Sequence, residues 1–275
     1  MSVQVPGAFS PPAFAPIAHE LRGEIIEHYE RRRERLDTPA GLVTLDTNSM
    51  LAPGRGRLLL RLLAEQGAGA IAGRRVLDLG AGFGALALYF SHLGAEVVAV
   101  DPNDERMQVA LAIAGRRGLA VSATSAHAQS LPLPDASIDL VVANNSLCYI
   151  VDERDHRLAM AEIHRVLRPG GWLIIRNPNR LYPRDQFTGL PLLGLLPPSL
   201  ARRVTAALGR HRSNVRLLSP GGAVRQLRRA GFTDVRWRSL PGRRLGARFA
   251  GYHHVLARRP DLARPPARGP DEVDR

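Results

Sequence analysis

Two acids and a glycine turn carry the first chemistry that the sequence offers. Val76-Leu77-Asp78-Leu79 is a short apolar run broken by one carboxylate, and Gly80-Ala81-Gly82-Phe83-Gly84 follows directly. A glycine turn between a strand and a helix lets backbone amides approach a ligand closely, and the helix N-terminus behind it favours negative charge. By letter, Gly80-x-Gly82-x-x-Ala85 satisfies a loose dinucleotide fingerprint. Asp78, two positions before the first glycine, argues against a dinucleotide: its carboxylate would repel a pyrophosphate but hold an ammonium group by the roughly 1.5–3 kcal/mol of a charge-assisted hydrogen bond. The ligand this favours is a positively charged, phosphate-free nucleotide. Asp101 lies 23 positions after Asp78 and ends a second apolar run. A doubly wound fold places an acid there to accept both ribose hydroxyls. The alternative is a helix cap, a role that Pro102-Asn103-Asp104 can fill without it.

These residues need a frame, and the hydrophobic periodicity supplies one. Strands are predicted at 76–79, 96–100, 119–124, 138–143 and 172–176, with helices at 85–92, 104–117 and 154–167 between them. Arg168-Pro169-Gly170-Gly171 forbids continuation of the last of these helices. Strands alternating with helices of this length make βαβ crossovers and a parallel sheet covered on both faces. Upstream, helices are expected at 17–36 and 56–65, so residues 17–73 form a helical cap before a main domain at 74–257. Residues 177–199, rich in proline and apolar side chains, read as an insertion; helices near 200–208 and 221–230 and strands near 233–239 and 251–257 follow. The proline-rich residues 1–16 and the tail 258–275 are expected to be disordered.

Composition removes several classes of function. No apolar stretch approaches the roughly 20 residues of a membrane-spanning helix. The first 16 residues hold no Lys or Arg and so lack the basic start of a secretory signal, which favours a cytoplasmic protein. Cys148 is the only cysteine, ruling out an internal disulfide and a thiolate-rich metal site. The net charge of +13 is unevenly placed: residues 1–199 carry 20 Arg against 20 acids, whereas residues 200–275 carry 18 Arg against 5. A localised basic field concentrates phosphates, acidic lipid headgroups or nucleic acid, unless it is simply a solvated arginine-rich face.

Four motifs in sequence carry a family likeness. Val76 to Gly84, Val98-Ala99-Val100-Asp101, Leu131-Pro132-Leu133-Pro134-Asp135-Ala136-Ser137-Ile138-Asp139 and Arg165-Val166-Leu167-Arg168-Pro169-Gly170-Gly171 together resemble the class I S-adenosylmethionine-dependent methyltransferases. The resemblance spans Arg74 to Arg176. It implies an α/β, doubly wound, Rossmann-like seven-stranded sheet with its last strand antiparallel, here with N-terminal helices and an insertion after strand 5. It implies S-adenosyl-L-methionine as cofactor, with Asp78, Gly80, Ala81 and Gly82 at the methionine end, Asp101 and the adjoining Pro102 at the ribose, and the loop before Leu131 at the adenine. That loop departs from the family pattern, because His127 stands where an acid is common. Neutral His accepts the adenine amino hydrogen bond through a ring nitrogen and Ala128 offers its backbone amide; otherwise His127 is a surface residue and Gln129 or water makes the contact. Asn144, just past the fourth strand, either bonds cofactor or acceptor or only ends the strand.

Methyl transfer from a sulfonium is an in-line displacement with an activated leaving group, so orientation alone, with effective molarities of about 10⁵ M or more, can supply most of the catalysis. A base is needed only for an acceptor that must lose a proton. His19, His28, Tyr29, Tyr149, His156, His211, His253 and His254 are chemically competent, and the sequence places none of them at the reacting centre. Tyr29 sits on a helix that would serve either as a lid or as packing. The acceptor is expected to be a small molecule or lipid-linked, with the 177–199 insertion as an apolar lip beside the site, a dimer contact or a loop packed on the sheet, and the arginine-rich quarter on a phosphate or an anionic membrane surface. An RNA methyltransferase and a non-catalytic binding protein are the competing readings; nucleic acid is disfavoured because the basic segment has few aromatics and no recognisable RNA-binding motif.

Overall fold

A strand buried on both faces must be apolar nearly throughout, and three runs meet that demand: β1 (Arg75–Leu79), β2 (Glu96–Asp101) and β4 (Ile138–Asn144). In the computed structural model, which describes residues 11–34, 36, 39–209, 214–238 and 251–261, they form the middle of a seven-stranded sheet. β3 (Val121–Ser125) flanks β2, and β5 (Leu167–Pro178), β7 (Tyr252–Arg258) and β6 (Thr233–Arg238) extend the other side, giving the order β3-β2-β1-β4-β5-β7-β6. All neighbours run parallel except β7, which is antiparallel to β5 and β6. This is the sheet the resemblance implies.

Side-chain alternation splits the core in two. Val76, Val97, Ala99, Leu140, Val142, Ile174 and Leu256 face α1 (Pro11–Arg31), α3 (Ala52–Ala64), α4 (Ala85–His92) and α5 (Asp104–Arg117). Leu77, Val98, Val141, Leu173 and Val255 face α6 (Glu153–Val166) and α8 (Pro220–Arg229). Helix ends follow local chemistry: the Asn103 side chain accepts from the Arg106 amide to start α5, and Asp152 accepts from the Arg154 and Asp155 amides to start α6. Arg165 ties the 131–135 loop to α6, donating to the carbonyls of Leu131 and Leu133 and to Asp135, while Glu162 accepts the Leu131 amide.

Several expectations need correction. Residues 1–16 are not disordered throughout, because α1 begins at Pro11; proline is tolerated in a first helical turn, whose N–H groups have no helical partner. Phe14 is buried, edge-on to Tyr89 at 5.2 Å and to His92 at 5.7 Å. The helix ends at Arg31 rather than near 36, and α2 (Pro39–Asn48) was not anticipated, its apolar residues being too few for a clear period. The tail expected from Arg258 is ordered to Asp261: Arg258 belongs to β7, the Gly170 amide donates to the Arg259 carbonyl, and the Arg259 amide donates to that of Gly171. Residues 1–10 and 262–275 lie outside the described residues, as does His211. The insertion is a loop with one short 3₁₀ turn at Leu193–Leu195, followed by α7 (Pro198–Ala207). No helix among the described residues is long and apolar enough to cross a membrane.

Removing the Phe14 ring tests whether the N-terminal segment belongs to the core: Phe14→Ala should lower the unfolding free energy by about 3–5 kcal/mol, read from urea denaturation. An unchanged midpoint would show that α1 is not docked.

Candidate active site

At the C-terminal edge of the sheet, where the chain order reverses around β1, a doubly wound fold opens a crevice. Here that crevice is a cavity of about 850 Å³. Asp78, Gly80, Ala81, Gly82, Asp101, Pro102, His127, Ala128 and Asn144 all line it, so one space gathers every binding residue singled out in the sequence.

The turn after β1 is built around two constraints. Gly80 (φ 75°) donates its amide to the Val100 carbonyl at 2.7 Å, and a Cβ there would meet the Ser146 Cβ at 2.2 Å, so the segment just after β4 approaches too closely for any side chain. Gly82 (φ 56°) has nothing within 4 Å of where a Cβ would stand. Its amide donates to Asp101 Oδ2 at 2.9 Å, and the Asn103 amide donates to Oδ1 at 2.9 Å. Asp101 is therefore not the cap of α5; Asn103 is. With each oxygen of Asp101 taking one backbone bond, a lone pair on each is left for a ligand hydroxyl.

Asp78 is buried on the α4 face of β1. The Ala87 amide donates to its carboxyl, while Oδ2 is buried without a partner. Burial pushes its pKa up to about 7, opposed by the Ala87 bond and helped by the nearby Asp101. An uncompensated buried carboxylate is costly, and a cationic group is what it lacks. His127 is exposed on the rim, its carbonyl closing a turn with the Ser130 amide.

The opposite half of the cavity was largely illegible in the sequence. It comprises Thr47 and Asn48 at the end of α2, Arg55 in α3, the stretch from Asn144 to Val151, Arg176 at the end of β5, and Tyr252 at the start of β7. The Arg176 guanidinium lies 3.5 Å from the centre of the Tyr252 ring, and its Nη1 is 3.4 Å from Asn144 Oδ1. Arg55 Nη1 donates to the Thr47 carbonyl at 2.7 Å. Of these, the sequence singled out only Asn144, at the end of the fourth strand, and Tyr149, as one of several possible bases. The 177–199 insertion, expected as a lip, contributes no residue to the lining.

Of the residues considered as bases, Tyr149 lines the cavity, whereas His19, His28, Tyr29, His156, His253 and His254 do not. Tyr29 packs on Phe83 at 6.0 Å and His28 on the same ring at 5.2 Å, so this part of α1 is packing and not a lid. Arg116 and Arg117 bind Glu20 and Glu24, fastening α1 to α5. Burial depresses His156 and His253 to about 4 and His254 to about 3, so all three are neutral at pH 7. No cluster of three or more metal-ligating side chains occurs among the described residues.

A family model described as a methyltransferase domain matches residues 77–175, the stretch that builds the cofactor side of this cavity. Residues 77–175 of this chain thus carry a methyltransferase domain. Among curated relatives, the domain is similar to a ubiquinone/menaquinone biosynthesis C-methyltransferase of Shewanella oneidensis, 33% identical over 162 residues that make up 54% of this chain and 63% of the relative. It is also similar to a demethylmenaquinone methyltransferase of Clavibacter sepedonicus, 35% identical over 133 residues, 47% of this chain and 51% of the relative. The chain thus spans less than two thirds of the length of these relatives. The fold is shared with the 1,6-didemethyltoxoflavin-N1-methyltransferase of Burkholderia thailandensis (TM-score 0.55, 23% identity, 92% of each chain) and with the PH0226 protein of Pyrococcus horikoshii (TM-score 0.59, 20% identity, 78% of this chain and 93% of the other). The residues present fit S-adenosyl-L-methionine, the cofactor that the sequence resemblance implies. Its ammonium matches the orphaned Asp78 oxygen, and its lack of a phosphate chain matches the two acids on one wall.

The raised pKa of Asp78 has a measurable consequence without ligand. The folded chain keeps a proton that the unfolded chain releases near the ordinary 3.8, so this group's contribution is fully present below about pH 4 and is lost as pH rises to about 7. The unfolding free energy of Asp78→Asn minus that of wild type should therefore grow, by on the order of a few kcal/mol, between pH 4 and 7 and stay level above. A flat difference curve from urea denaturation would show that Asp78 titrates normally.

Proposed function

We propose that the protein is an enzyme that transfers the methyl group of S-adenosyl-L-methionine to a small or lipid-linked acceptor. The observation that carries this is the unpartnered Asp78 oxygen beside a glycine turn and Asp101 on a single cavity wall. In this proposal Asp78 takes the ammonium, the Gly80-Ala81-Gly82 turn lies along the methionine chain, and Asp101 accepts the ribose hydroxyls. Pro102 adjoins the ribose, His127 and Ala128 border the adenine, and Asn144 stands at the methyl end. The bound cofactor supplies an activated methyl group; the chain's work is to hold it in line with an acceptor and keep water out. A cavity of about 850 Å³ is large enough for both molecules. The names of the relatives, which concern quinone biosynthesis, favour an aromatic, quinone-type ring as acceptor.

A lipid-linked acceptor gains support from the surface. Leu192, Leu195, Leu200 and Leu208 are exposed, and so are Arg202 and Arg203 in the same stretch. Exposed leucines beside arginines suit peripheral contact with an anionic membrane. Three of the described C-terminal arginines are engaged within the molecule: Arg216 pairs with Glu153, Arg258 binds the Gly170 carbonyl, and Arg259 binds the carbonyls of Arg165 and Leu167, whereas Arg225, Arg228 and Arg229 are exposed.

Asp101→Ala should weaken S-adenosylhomocysteine binding about tenfold or more, the equivalent of one lost charge-assisted hydrogen bond, as read by calorimetry; equal affinity with an intact fold would remove Asp101 from the site. Transfer of label from methyl-labelled cofactor to demethylmenaquinol-type acceptors tests the activity itself. Sedimentation with vesicles tests the surface: binding should need anionic lipid and drop when Leu192 and Leu195 are both changed to Ser. Equal sedimentation with neutral vesicles, or no loss in the double variant, would argue against membrane contact.

A further inference from the structure

The acceptor half of the cavity holds two arginines and, among the described residues, no carboxylate paired with either. Arg176 comes from the end of β5, where register sets it beside Asn144 on β4 and opposite His254 on β7. Arg55 comes from the first turn of α3. Both line the cavity and both lie close enough to Tyr252 to be influenced by it. Burial lowers the pKa of each; for Arg176 it falls to about 10, with the Arg55 charge contributing. The two cations therefore repel across a partly desolvated space. The other titratable groups facing it are Tyr252, Tyr149 and Asp155 on the lining and the neutral His254 beside Arg176, while Asp78, Asp101, His127 and Arg106, a third cation near enough to influence Tyr149, stand on the cofactor half.

An arrangement of this kind is satisfied by an anion, and guanidinium groups are suited to oxyanions that need fixed, directional donors. We propose that Arg55 and Arg176 form an oxyanion subsite that takes the methyl acceptor as its conjugate base, an acidic phenol or enol, so that no protein base is required. This deepens the methyltransferase reading of the cavity and rests on it. The proton leaves to solvent when the acceptor binds. The acceptor's oxygen or carbon then donates its electron pair to the methyl carbon, and the carbon–sulfur bond breaks with its pair retained by sulfur. One anion and one sulfonium become a neutral methylated product and a neutral thioether. Tyr149, the base candidate that lines the cavity, has its pKa raised by burial and so keeps its proton; a fixed positive field lowers the acceptor's pKa instead.

The test uses 4-nitrophenol, whose phenolate is coloured and whose hydroxyl titrates near neutral pH, and its neutral analogue 4-nitroanisole. The full chain is titrated with each, with and without saturating S-adenosylhomocysteine. Wild type should bind the phenolate and lower the probe's pKa by about one unit or more, a tenfold preference for the anion. Arg176→Gln and Arg55→Gln should each lose most of that shift with little change toward 4-nitroanisole, and Arg176→Lys should retain part of it, which separates charge from folding. An unshifted probe on wild type, failure of the probe to bind, or a shift that persists in both glutamine variants would overturn the subsite. Binding of S-adenosylhomocysteine by wild type without a phenolate shift would leave the methyltransferase reading standing and remove only this inference. A phenolate shift without S-adenosylhomocysteine binding would leave an anion site but remove the methyltransferase reading and, with it, the acceptor role of the two arginines.

Discussion

The carboxylate of Asp78 lies on the central strand of the sheet, under α4, with one oxygen that touches nothing polar. Charge in that position is tolerated only if a cation arrives or a proton is retained, and the surroundings leave little room for any other relief. The Gly80 turn carries the chain over it, and Ser146, just past the end of β4, closes the space where a side chain from the turn would otherwise stand. Asp101 adds a second negative charge from β2 and is fixed there by the Gly82 and Asn103 amides. Three parallel strands thus end against one acidic wall, and the two layers of helices hold those strands in register.

What was legible in the sequence was whatever a local pattern encodes. Apolar runs of period two, helices of ordinary length between them, and Gly or Pro at their ends gave β1, β2, β4, α4 and α5 to within a residue or two. The cofactor half of the cavity was legible for the same reason, since each of its residues belongs to a strand end or the turn after it. Their assembly on one wall needed only the rule that parallel strands end on the same side of a doubly wound sheet.

The illegible parts depend on partners distant in sequence. The start of α1 is decided by Phe14 meeting Tyr89 and His92, contacts that no window around residue 14 can reveal. Arg176 and Tyr252 are neighbours because β7 pairs antiparallel with β5, a register that depends on how residues 178–251 return to the sheet. The insertion looked like a lip because it is apolar and follows a strand end, yet the wall beside the cofactor is supplied instead by α2, α3 and β7. Composition reported its stickiness without reporting its direction.

The two halves of the cavity also differ in how the chain writes them. The cofactor side is drawn from one short span, residues 78–129, in which each element is followed at once by the next. The facing side is collected from residues 47–55, 144–155, 176 and 252, four stretches that share no element. A mutation in any one of those stretches changes the shape of the facing wall while the residues of the 78–129 span stay where they are. The two walls can therefore vary independently, and a change in one need not rebuild the other.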